Sequence, residues 1–140
     1  MIAAGRIQRL PARTPWPLHA ALVQLHDEAG RLGLRKLLDL DLVFVPSPEV
    51  GREALGADTA LRDLVRTGLL REIGTGLAAR LEVDVVEVVR ARRRLMNLEP
   101  RAVALLQRAG ERWAALASTC SKYPDSARIS PASAVASGTA

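Results

Sequence analysis

Apolar positions along this chain switch repeatedly between a spacing of three or four and a spacing of two. Leu18, Leu22, Leu25, Ala29 and Leu32 follow one another at four, three, four and three residues. This is one stripe of a helix over 17–32, opened by Pro17 at a tolerant first position and closed by Gly30 and Gly33. Over 37–45, Leu38, Leu40, Leu42 and Phe44 are interleaved with Asp39 and Asp41, as in a strand, while Leu37, Leu38, Asp41, Leu42 and Val45 share a helical face. Both readings stay open. "PSPE" then breaks the chain, with Ser47 a plausible cap and Pro48 a first helical position, predicting a short helix over 48–55 that ends at Gly56.

The stretch from Thr59 to Asp84 predicts a helix followed by a hairpin. Asp58 or Thr59 fits as the cap of a helix whose stripe is Ala60 or Leu61, Leu64 and Val65, ending at Gly68. Leu69, Arg71 and Ile73 then fall on one side, "GTG" supplies a reversal, and Leu77, Ala79, Leu81 and Val83 alternate with Ala78, Arg80, Glu82 and Asp84. One continuous helix would hold Gly68, Gly74 and Gly76 internally, at about 1 kcal/mol each relative to alanine, so the hairpin is the less strained choice. Val85, Val88, Val89, Arg92, Leu95 and Met96 return to helical spacing, although the valines keep a strand open. Glu99-Pro100 starts a last helix with Ala102, Leu105, Leu106, Ala109, Trp113 and Leu116 on its apolar face. Residues 1–16 have no period and read as a flexible arm. Residues 17–123 read as a single domain and 124–140, rich in Ser, Ala and Pro, as a disordered tail.

At 49% hydrophobic and 25% charged, the 140 residues have the composition of a globular domain. No apolar run approaches the length of a membrane helix, and the opening residues have no hydrophobic signal core. A cytoplasmic protein without a membrane partner is the expectation. Cys120 is the only cysteine, which leaves a thiol-based zinc site without partners. The net charge of +5, with arginine in place of nearly all lysine, leans towards polyanions, although coding bias produces the same composition. Aromatics are only 3%, too few for a platform that stacks single-stranded bases. If nucleic acid is the partner, duplex DNA fits better.

The order of elements, with Leu61, Leu64, Val65, Gly68, Leu69, Leu70, Ile73, Gly74 and Gly76 followed by the 77–83 strand, resembles the winged helix-turn-helix superfamily, in a PadR- or MarR-like pattern. The resemblance covers about 35–84 and lacks the aromatic usual in the second wing strand. It implies an α+β, mostly helical fold: a winged helix-turn-helix with a flanking N-terminal helix and C-terminal helices. It further implies a small bacterial transcriptional regulator of double-stranded DNA. Thr59, Arg62, Arg66 and Thr67 would enter the major groove, while Arg71 and Arg80 on the wing would touch the backbone or minor groove. Asp58, Asp63 and Glu72 lie near the same surface and oppose phosphate. A homodimer through the C-terminal helices, by Leu105, Leu106, Ala109, Trp113 and Leu116, or a protein partner is expected, with no cofactor, metal or catalytic residue. "RARRRLM" adds Arg90, Arg92, Arg93 and Arg94, as a phosphate patch or a solvated face.

Two other readings compete. The same scaffold serves as a non-catalytic adaptor in a larger assembly. "LLDLDLVFV" and "RLEVDVVEV" resemble the carboxylate-bearing strands of nucleotidyltransferases, with Asp39, Asp41 and Asp84 as metal ligands, but the Gly-Ser pair that cradles triphosphate is missing. His19 and His26 stand seven apart on one helix, too far to share a metal.

Overall fold

A computed structural model describes residues 1–11, 15–39 and 41–122. Among these, four helices and two small antiparallel sheets make an α+β fold that is about half helical. The chain runs β1 (Arg9–Pro11), α1 (Pro15–Leu32), β2 (Phe44–Ser47), β3 (Gly51–Ala54), α2 (Ala57–Arg66), β4 (Leu70–Ile73), a 3-10 turn at Gly76–Ala78, β5 (Arg80–Val83), α3 (Val85–Leu95) and α4 (Pro100–Lys122). No helix among the described residues is long and apolar enough to cross a membrane.

Helices α1 and α4 form the body. Each puts small residues at the contact, Ala21 and Ala29 on one and Ala102, Ala109 and Ala117 on the other, and larger ones fill between. Two adjoining clusters result: Leu25, Ala29, Leu34, Leu105 and Ala109, then Ile7, Leu10, Leu18, Ala21, Leu81, Trp113 and Ala117. The α4 stripe expected to serve a dimer is therefore largely used inside the chain: Leu105, Ala109 and Trp113 are buried in its own core.

The expected flexible arm at 1–16 is corrected over its described part. Residues 1–11 pack against the body, with Ile7 and Leu10 buried and β1 paired to β5 through Leu10 opposite Leu81. Gly110 makes this approach possible, since a Cβ there would collide with the Met1 carbonyl oxygen. Gly110→Ala removes a glycine that costs α4 about 1 kcal/mol, so the helix alone would gain. The collision should reverse that sign. We expect a lower melting temperature and faster proteolytic cleavage within residues 1–11; a stabilised variant with unchanged cleavage would refute the contact.

Helix α1 is tied to α4 by Glu28, whose carboxylate accepts from Gln24 Nε2 at 2.9 Å and from Arg108 Nη2 at 3.2 Å. The Gln24 amide, with Arg108 and Arg31, holds this carboxyl below its ordinary value of 4.5 against the opposing effect of burial. A depressed folded-state pKa gives stability that is present above the unfolded value and lost as pH falls through the folded one. Glu28→Gln should therefore be less stable than the parent at pH 7. The gap should narrow as pH drops below 4.5, as chemical denaturation across pH will read out.

The predicted 48–55 helix is instead the turn and second strand of a hairpin. Phe44 pairs with Ala54, Val45 with Glu53, Pro46 with Arg52 and Ser47 with Gly51. Proline is tolerated because neither strand is central. The hairpin is held by α1: the Phe44 ring meets His26 edge-on at 5.1 Å, and Arg52 lies over Phe44 at 5.0 Å while reaching Asp27 at 3.5 Å. Neither reading of 37–45 holds as a whole. Residues 35–39 are turns, Leu40 lies outside the described residues, and the strand begins only at Phe44. The tail at 124–140 lies outside the described residues too.

The second hairpin forms where the glycines predict it. Strands β4 and β5 pair Leu70 with Val83, Arg71 with Glu82, Glu72 with Leu81 and Ile73 with Arg80. Gly74 turns at φ +84° with the Ala78 carbonyl oxygen 3.2 Å from where a Cβ would stand, so a side chain there is both strained and crowded. The strand begins at Arg80 rather than Leu77, and the side facing the core carries Leu70, not Leu69 and Ile73.

Candidate nucleic-acid interface

Helix α2 begins at Ala57, ahead of both expected caps, Asp58 and Thr59. Gly56 occupies the N-cap position, Ala60 N–H donates to its carbonyl, and Asp58 sits within the first turn. Leu61 and Val65 pack against the core cluster, yet no residue of the helix is fully buried. Its opposite face carries Thr59, Arg62 and Arg66 at intervals of three and four, all exposed. Arg62 has no acidic partner among the described residues, whereas Arg66 Nη2 lies 3.2 Å from Asp63 Oδ1. Both members of that pair are largely solvated, so it contributes at most about 1 kcal/mol. Thr67 closes the helix and turns its hydroxyl back on the Asp63 carbonyl at 2.9 Å, a capping role rather than an outward one.

Arg71 and Arg80 are exposed but occupy the other face of the sheet. Cross-strand pairing puts Leu70, Leu81 and Leu10 on the inner side and Arg9, Arg71, Arg80 and Glu82 on the outer side. Arg9 Nε meets Glu82 Oε1 at 3.1 Å, so the outer face is basic around one acid. Because α2 packs on the inner side, the six expected contact residues divide into a helix set and a sheet set. The arrangement unites Thr59, Arg62 and Arg66 and leaves Arg71 and Arg80 apart from them.

The three carboxylates of the competing reading do not share a strand. Asp39 lies in a turn at φ +50°, Asp41 lies outside any strand, and Asp84 caps α3 by accepting from Val86 N–H at 2.8 Å. A different cluster, from three elements, is invisible to local spacing: His19, Glu53 and Asp58 bring one ligand atom each within 4.8 Å of one another. His19 is buried, its Nδ1 accepting from Ala54 N–H at 3.1 Å and its Nε2 lying 3.3 Å from Asp58 Oδ1. Accepting at Nδ1 puts the ring proton on Nε2, directed at Asp58. Neither nitrogen then offers a lone pair to a metal, and the cluster acts as a clasp between α1, β3 and α2.

Helix α3 carries Arg90, Arg92, Arg93 and Arg94, all exposed, with Arg90 Nη1 2.6 Å from Glu87 Oε1. Its other feature is apolar. Val85 is 73% exposed, Met96 83%, and Val89 stands between them. Comparison of the chain with family models, with curated proteins and with solved structures gives no match.

Proposed function

We propose that this chain binds duplex DNA as a small transcriptional regulator, with α2 as the element that enters the major groove. The observation that carries the reading is the uncovered basic face of α2, Thr59, Arg62 and Arg66, on a helix that buries none of its residues completely. Arginine pairs bidentately with guanine and threonine contacts phosphate or the thymine methyl. The succession α2, β4, β5 suits a recognition helix followed by a wing, in a winged-helix arrangement where the β2–β3 hairpin stands in place of the helix that ordinarily precedes recognition. The charge of +5 supplies the attraction to phosphate.

The test is fluorescence anisotropy with labelled duplex and single-stranded DNA over a range of salt. Duplex binding should be preferred and should weaken linearly in log salt. Absence of duplex binding at low salt would end the reading. A second reading, a protein-interaction adaptor, is favoured by the exposed apolar residues Val85 and Val89 on α3 and Met96 at its C-cap. Under that reading, charge reversal on α2 would leave partner capture intact and Val89→Asp would abolish it.

A further inference from the structure

A concavity lined by α2 and α3 has a volume near 670 Å³, within the roughly 300–1,000 Å³ typical of small-molecule sites. Leu18, Leu61, Leu64, Leu70, Val88 and Trp113 bring walls from α1, α2, β4, α3 and α4. Every uncharged lining residue is apolar or glycine. The charged side chains, Glu87, Arg90 and Arg94, stand at intervals of three and four on one face of α3. The groove therefore has an apolar body and one polar edge. At that edge Arg90 is engaged by Glu87, while Arg94 has no acidic partner among the described residues.

We infer that this groove binds an amphiphilic carboxylate with an aliphatic body, its head group on Arg94 and its chain along the leucines of α2 and β4. The net charge of the edge selects an anion over a cation, and a planar guanidinium matches a carboxylate with two parallel hydrogen bonds. The walls select an aliphatic over an aromatic body, because Trp113 is the one aromatic among many flexible leucines and valines. A segregated edge suits a molecule with one head and one tail. A partner helix would instead call for charges on both rims. The inference stands independently of DNA binding.

Trp113 lines the groove and serves as the reporter in a Trp16→Phe background. Dodecanoate, kept below its micellar concentration, should give a saturable change in emission; dodecyltrimethylammonium, with the same chain and the opposite head, should bind at least about ten-fold more weakly. Arg94→Gln should weaken dodecanoate by about ten-fold with an unchanged melting temperature in the absence of ligand. Ala91→Phe should fill the groove and abolish the response. Equal affinity for both head groups, full binding by Arg94→Gln, or no saturable response would overturn the inference. So would a concentration-dependent dimer, lost in Ala91→Phe, that withholds the groove from dodecanoate.

Discussion

Replacing Arg62 and Arg66 together with alanine should weaken duplex DNA binding on the order of 100-fold, taking about 1–3 kcal/mol for each bidentate base contact and allowing for coupling between neighbours one turn apart. Both side chains are exposed and alanine suits a helix, so folding should be nearly unaffected. Salt separates the roles of the two. If an arginine contacts phosphate, its loss lowers the log–log salt slope by about one; if it reads a base, sequence preference relaxes instead. Asp63→Ala supplies the opposite sign. It removes an acid from the phosphate-facing side and frees Arg66, whose ion pair at 3.2 Å must otherwise open on binding, so affinity should rise several-fold. Arg71→Ala with Arg80→Ala tests the division of the surface. These side chains are on the outer face of the sheet, and their loss should cost much less than the helix pair. Anisotropy titrations of all three variants decide the matter. An affinity unchanged in the Arg62/Arg66 variant would remove α2 from the interface.

The sequence is most legible where structure depends on nearest neighbours along the chain. The α1 stripe from Leu18 to Ala29 and the α4 stripe Ala102, Leu105, Ala109 and Trp113 both rest on intervals of three and four. The β4–β5 hairpin is legible through Gly74 and Gly76, because local strain rules out the helix. What escapes is set by distant partners. "SPEVGREAL" has the start chemistry of a helix, but Phe44 and Ala54 gain burial against α1 only by pairing as strands. β1 is three residues long and exists because Leu10 meets Leu81 and Arg9 meets Glu82. The site divides the same way. Exposure of Arg62 and Arg66 follows from helical period, whereas the side of the sheet that Arg71 occupies depends on register and follows from the burial of Leu70. The groove between α2 and α3 draws on six elements, so no local window contains it.

The other large effect is expected at His19, which lies in α1 with no period or motif to mark it. Its side chain is buried, and it satisfies two groups from elsewhere: the Ala54 N–H, 35 residues away, and the Asp58 carboxylate. His19→Leu keeps much of the volume and strips both partners. The Ala54 amide is then a buried donor without an acceptor, at about 1–3 kcal/mol, and Asp58 loses the donor directed at it. A total near 3 kcal/mol corresponds to a fall in melting temperature of roughly 10 °C for a domain of this size. His19→Asn should lose less, because its amide oxygen stands near the place of Nδ1 and still accepts from Ala54. Asp58→Asn should lose least, since a neutral oxygen remains to take the Nε2 proton. Hydrogen exchange at Ala54 gives the local readout: fast exchange in His19→Leu and intermediate exchange in His19→Asn. Zinc provides the discriminating control. A clasp whose ring nitrogens are both engaged gains nothing from the ion. A saturable rise in melting temperature with zinc, abolished by Glu53→Gln, would instead make His19, Glu53 and Asp58 a metal centre and overturn the tautomer assigned to His19.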